Sequence, residues 1–115
     1  MKQRLLVMNG QRIVQAEQDG KWINQKVDKA GEIKPGIYNV YLATEADRTA
    51  KYSGVVVHAD VTSVYQQIGK AFVSHPKAAF EKLPDVGTSR TIAYDEQGRA
   101  HSSAMEAQQV RSRSR

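Results

Sequence analysis

The sequence predicts a mainly β (α+β) fold: a small OB-like or SH3-like barrel with one short helix, preceded by an N-terminal β-hairpin or meander. Three observations carry this. Asn9-Gly10 and Asp19-Gly20 punctuate the first 28 residues, and both dipeptides readily supply the positive φ angles of tight hairpin turns. The apolar runs are short and are repeatedly broken by glycine, proline or aspartate. Over residues 54 to 103 they fall in the order strand, strand, strand, short helix, strand, strand, the order of an OB-like barrel whose helix lies between its third and fourth strands.

Each element has a local reason. Leu5 to Met8 is an apolar run ended by Asn9-Gly10, Ile13 and Val14 open a second strand, and Asp19-Gly20 precedes a third at Lys21-Trp22-Ile23. Lys34-Pro35-Gly36 breaks the chain before a strand over Ile37 to Ala43, in which Tyr38, Val40 and Leu42 share one face. Thr44 to Lys51 is polar and reads as a loop or short helical turn. Val55-Val56-Val57-His58 is apolar on both faces, as a central or barrel strand would be; Asp60 to Ser63 makes a turn and Val64 to Ile68 the next strand. Ala71 to Ser74 is a short strand. Pro76 then sits where a first helical residue tolerates proline, Phe80 and Leu83 lie three apart, and Pro84 stops the run, which predicts about two helical turns. Arg90 to Tyr94, a hairpin loop at Asp95 to Gly98, and a strand near Arg99 to Ser102 complete the barrel.

Three parts follow: a meander over 1–33, packed on or appended to the core; a barrel over 34–103; and a basic tail over 104–115. Ser103-Ala104-Met105-Glu106 has the spacing of a capping box, but any helix after it is shorter than the ~12 residues that make an isolated helix even marginal. Arg111-Ser112-Arg113-Ser114-Arg115 is low-complexity.

With 115 residues, 40% apolar and 25% charged, the chain has room for one core. No stretch approaches the ~20 apolar residues of a membrane span, and the first residues lack the apolar region of a signal peptide, so the expected compartment is the cytoplasm. The absence of cysteine excludes disulfides and thiolate metal sites. The net charge of +5 invites a nucleic-acid reading, yet residues 36–98 carry six Lys or Arg against seven Asp or Glu. The excess lies at the two ends, each +3, where plain solvation explains it equally well.

Lys34-Pro35-Gly36-Ile37-Tyr38-Asn39-Val40-Tyr41-Leu42-Ala43, Tyr52-Ser53-Gly54-Val55-Val56-Val57-His58, Val64-Tyr65-Gln66-Gln67-Ile68-Gly69, His75, Pro84-Asp85-Val86-Gly87 and Ile92-Ala93-Tyr94 together resemble the KfrB domain. This is a family of plasmid maintenance and conjugation-associated proteins. The resemblance implies an accessory protein acting beside a KfrA-like, DNA-binding, coiled-coil partner, and it brings no catalytic residue.

The residues offer few sites of their own. His58 and Asp60 are two apart and share a strand face, but two ligands are too few for zinc, and recruiting His75 or His101 needs long-range folding; a histidine ending a strand beside a turn-forming aspartate is the simpler reading. Neither a Gly-x-Ser-x-Gly elbow nor a phosphate-binding glycine loop is present. No metal, cofactor or catalytic residue is therefore expected. Tyr65 and Phe72, with Lys70 between them, fall on the barrel strands where OB folds stack bases, although the neutral core favours burial of both rings. Arg111, Arg113 and Arg115 could grip phosphates without reading sequence, or simply be solvated. Trp22 is a candidate partner anchor against a core role in the meander. The expected function is a non-catalytic accessory module that recognises a protein, with weak nonspecific attraction to DNA and no membrane partner. The rival is an OB-type single-stranded nucleic-acid binder, and a small metalloenzyme or hydrolase around His58 and His75 is weaker still.

Overall fold

The computed structural model describes residues 2–104. Strands β1 (Gln3–Met8), β2 (Gln11–Gln18), β3 (Lys21–Lys29) and β4 (Gly36–Tyr38) form one sheet in the order β3-β2-β1-β4. Strands β5 (Thr44–Glu45), β6 (Tyr52–Ala59), β7 (Ser63–Ile68), β8 (Ala71–Pro76), β9 (Ser89–Tyr94) and β10 (Ala100–Ala104) form a second in the order β10-β9-β6-β7-β8-β5. Among the described residues, no helix is long and apolar enough to cross a membrane.

The first sheet is the meander that the turn dipeptides predict. Asn9 and Gly10 have φ of 53° and 76°, and Asp19 and Gly20 of 52° and 80°, so each pair turns with both residues in the left-handed region that matches strand twist. Strand pleating then sends Leu5, Val7 and Val14 to one face, where they join Ala30, Ile33, Tyr38, Val40 and Val57 in a buried cluster. Val57 comes from β6, and Val55, Tyr65 and Phe72 of the second sheet pack on the same cluster. The two sheets thus share a core, and each fully buried Leu or Val contributes about 2 kcal/mol.

The expected strand over Ile37 to Ala43 ends early. After Tyr38 the chain rolls into a 3-10 turn at Val40–Leu42, closed by Leu42 and Ala43 amides donating to the Asn39 and Val40 carbonyls, which buries Val40 but leaves Leu42 63% exposed. Gly36–Tyr38 pairs with β1, so this segment completes the first sheet. Thr44–Glu45, read as loop, forms a short parallel pairing with Val73 and Ser74.

The second sheet keeps the OB-like strand order but does not close into a barrel. β6 is shared lengthwise: Tyr52 to Val55 pair with β9, and Val56 to Ala59 pair with β7. Gly54 permits this bend, because a Cβ there would lie 1.9 Å from the Gln67 carbonyl oxygen. A single parallel bridge, Phe80 to Ala100, joins the chain after β8 to β10. That bridge also explains why the predicted two-turn helix is absent. Only a 3-10 turn forms at Lys77–Ala79, since Phe80 must extend to reach Ala100 and the second core cluster of Val56, Val64 and Ile92. Ser103 and Ala104 are β10 residues paired with Thr91 and Arg90, so no helix starts at the capping-box serine. The remainder of that motif, with Arg111, Arg113 and Arg115, lies outside the described residues.

Candidate functional site

Both core histidines are held by other side chains. On β8, His75 follows Val73 by two and points inward with it; on β7, Gln66 lies between Val64 and Ile68 on the inner face. Both are fully buried. The Gln66 amide nitrogen lies 3.3, 3.1 and 2.9 Å from the carbonyl oxygens of Tyr52, Gly54 and Arg90, which fixes it as the donor end. Gln66 Oε1 therefore accepts from His75 Nε2 at 2.9 Å, leaving Nδ1 to accept from the Tyr94 hydroxyl at 2.7 Å. Desolvation pushes His75 down to about 4 and Tyr94 up to about 12. Near neutral pH the network is uncharged, internally satisfied and without a free nucleophile.

His58 sits where the β6–β7 register slips between Val56 and His58. The bulge lets both Val57 and His58 face the first sheet, where simple alternation would turn one away. His58 Nδ1 accepts from Arg12 of β2 at 3.2 Å, and Nε2 meets Gln3 Oε1 of β1 at 3.2 Å. Burial, reinforced by the Arg12 charge, lowers His58 to about 4, with Asp60 opposing. Arg12 is itself buried and paired with Asp28 at 3.2 Å; desolvation lowers its pKa more than Asp28 raises it. Asp60 does not ligate alongside His58. Its Oδ1 accepts the Thr62 and Ser63 amides, and its Oδ2 accepts the Tyr65 hydroxyl at 3.0 Å. Among the described residues, no three His, Cys, Asp or Glu side chains cluster as metal ligands. His101 is exposed and bonds Asp95 at 2.8 Å.

Tyr65 and Phe72 pack against the inter-sheet cluster, Tyr65 with its ring 5.6 Å from His58 and Phe72 edge-on to Tyr38 at 6.1 Å. The first sheet thus covers the face on which an OB fold would stack bases. Lys70 and Phe72 do share an open cleft of about 430 Å³, lined also by Ile37, Tyr38, Leu42 and Gln67.

Trp22 belongs to neither core cluster. Its partner Glu17 lies on the outer side of β2, so the indole lies across the outer face of the first sheet, with the Arg4 guanidinium 4.3 Å from its ring and Tyr41 5.9 Å away. Lys2 lies 5.3 Å from the Tyr41 ring. Arg4 also donates to Gln15 at 2.8 Å, and Gln15 to Asn24 at 2.7 Å. Arg4 and Tyr41 escape sequence reading because only sheet pairing brings them to Trp22.

These features define a two-sheet β protein whose buried histidines bond to neighbouring side chains and whose Trp22 and Tyr41 rings lie together outside both core clusters. The KfrB Domain family matches residues 51–104, the span from the start of β6 to the end of β10. Lys34 to Ala43, which carry part of the resemblance, precede that span. The chain is also 35% identical over 120 residues to Protein TraB of Escherichia coli, covering 96% of this chain and 82% of that protein. It belongs to the KfrB-domain family of plasmid maintenance and conjugation-associated proteins.

Proposed function

We propose that this chain is a non-catalytic accessory protein of a plasmid stable-inheritance or conjugation system, acting in the cytoplasm by recognising a protein partner. A KfrA-like DNA-binding coiled-coil protein is the partner class that the family suggests, with basic chain ends adding weak, nonspecific attraction to DNA. The observation behind this reading is the contrast in how side chains are used: His58 and His75 bond inside the core, whereas Trp22, Arg4, Tyr41 and Lys2 gather on a sheet face that the second sheet does not cover. Aromatic and arginine side chains are the residues that most often anchor protein interfaces. β3 is the open edge of the same sheet, but Lys21, Lys26 and Lys29 along it oppose the addition of another strand, which favours the face over the edge.

The test has two arms. Pairwise two-hybrid measurement against the other proteins of the same plasmid system is expected to find a partner whose binding is lost on Trp22→Ala. DNA and RNA binding across salt concentrations, for the full chain and for a version ending at Ala104, is expected to give weak, salt-sensitive binding that the truncation weakens further. Tight single-strand binding by the truncated chain, with no protein partner, would assign the function to nucleic acid instead.

A further inference from the structure

We propose that the outer face of the first sheet docks an acidic, amphipathic α-helix of a partner protein; this rests on the protein-recognition reading and names the chemistry of the partner. Leu6 pairs with Ile13 on one side and Ile37 on the other, and Ile13 pairs with Val27. These four side chains form one row across β3, β2, β1 and β4, on the side opposite the buried Leu5, Val14 and Tyr38. The second sheet leaves the row uncovered: its two ends, Val27 and Ile37, are 52% and 58% exposed.

The row has the dimensions of a helix. Three inter-strand spacings of ~4.8 Å make it about 14 Å long, the rise of about ten helical residues. Apolar positions three or four apart on one helix face recur every ~5 Å along the axis, so successive anchors fall on successive strands. Beyond Ile37 the row continues into the cleft lined by Leu42 and Phe72, with Lys70 beside them.

The charges choose the partner. Arg4 stands in the neighbouring row on one side, beside Gln15 and Asn24, and Lys29 stands on the other, beside Gln11 and Met8. Neither is in an ion pair among the described residues. Lys2 adds a third cation at the Trp22 end, against Glu17 alone. A helix whose apolar stripe is bordered on both sides by carboxylates meets this pattern. A second copy of the same face would set cation against cation, and a nucleic-acid strand would leave the four aliphatic side chains without a counterpart.

The experiment selects helical peptides of about 16 residues by display on the full chain and then measures each on Val27→Glu, an exposed position whose substitution leaves both core clusters intact. Thermal melting of the variant confirms that it is folded. Selected peptides are expected to carry apolar residues at i, i+3 or i+4, and i+7 bordered by Asp or Glu, and to bind Val27→Glu and Lys29→Glu at least about tenfold more weakly. Peptides with basic or uncharged borders, peptides that bind all forms alike, or no selected peptide overturn the helix site. So does a wild-type dimer in light scattering that Val27→Glu dissolves, which assigns the face to a second copy. If the two-hybrid partner still binds Val27→Glu, recognition of a protein stands and this site falls. If face-dependent acidic peptides are selected but no plasmid-encoded protein binds, the docking chemistry stands and the assigned role falls.

Discussion

His75 Nε2 donates to Gln66 Oε1 at 2.9 Å inside the second sheet, and the same glutamine reaches carbonyls on both β6 and β9. One side chain of β7 thereby ties together the first half of β6, β9 and β8.

Gln66→Leu is expected to be among the most damaging polar substitutions in the chain, because it leaves the buried His75 N–H without a partner and the Tyr52, Gly54 and Arg90 carbonyls without this donor. The expected loss in urea denaturation is about 3 kcal/mol or more. His75→Phe costs about 1–3 kcal/mol, and the double variant loses less than the sum of the two, since the second change removes a group already orphaned by the first.

Stability depends on pH through the two buried histidines. Both titrate near 4 in the folded protein, from an ordinary value of 6.5. Between those values the unfolded chain binds protons that the folded one excludes, so stability is fully present above about pH 6.5 and falls as pH drops towards 4. Each histidine contributes about 3 kcal/mol over that window. Melting temperatures at pH 7.5, 6 and 5 should fall progressively, and His58→Asn should remove about half of the proton dependence.

Arg12→Met tests the polar contact between the sheets. Removing the guanidinium removes one of the three causes that lower His58, alongside burial and Lys26, so the His58 ring resonances should titrate at higher pH than in the wild type. The stability change is expected to stay within about 1 kcal/mol, because the methionine avoids the desolvation of a buried cation. An unmoved His58 titration would show that the Arg12 charge does not help to hold the imidazole neutral.

Gly54→Ala is expected to cost about 3 kcal/mol or more, since its Cβ would meet the Gln67 carbonyl at 1.9 Å and backbone cannot swing aside as a side chain would. Gly69→Ala is the contrasting case. Gly69 has φ of 61° but nothing within 4 Å of an added Cβ, so only backbone strain opposes it, at about 1–2 kcal/mol. Thermal or urea denaturation of the two variants separates crowding from conformation.

The features legible in the sequence are those written in neighbouring residues. Asn9-Gly10 and Asp19-Gly20 specify their turns within two positions, and Asp60 marks a turn for an equally local reason. Phe80 misleads because its partner, Ala100, is twenty residues away and overrides a helical pattern. Val55-Val56-Val57-His58 reads as a strand apolar on both faces, and it is, with Val55 and Val57 on the first cluster and Val56 in the second; only the bulge that turns His58 to the side of Val57 leaves no local mark. Gln66 is legible in the same way as those valines, since it alternates in phase with Val64 and Ile68 and so points a polar group into the core. The cluster around Trp22 leaves no local trace, because Arg4 and Tyr41 are brought to it by pairing across different strands.

Tyr38 is the last residue of the first sheet, while the second-sheet residues that pack over Leu5 and Val14 begin only at Val55. During synthesis the N-terminal sheet can therefore hydrogen-bond completely while its greasy side is still bare, and β6 must wait longer still for β9 before its first half is paired. The nascent chain thus passes through an interval in which the N-terminal strands are complete while most of the surface that buries Leu5, Val7 and Val14 has yet to be made.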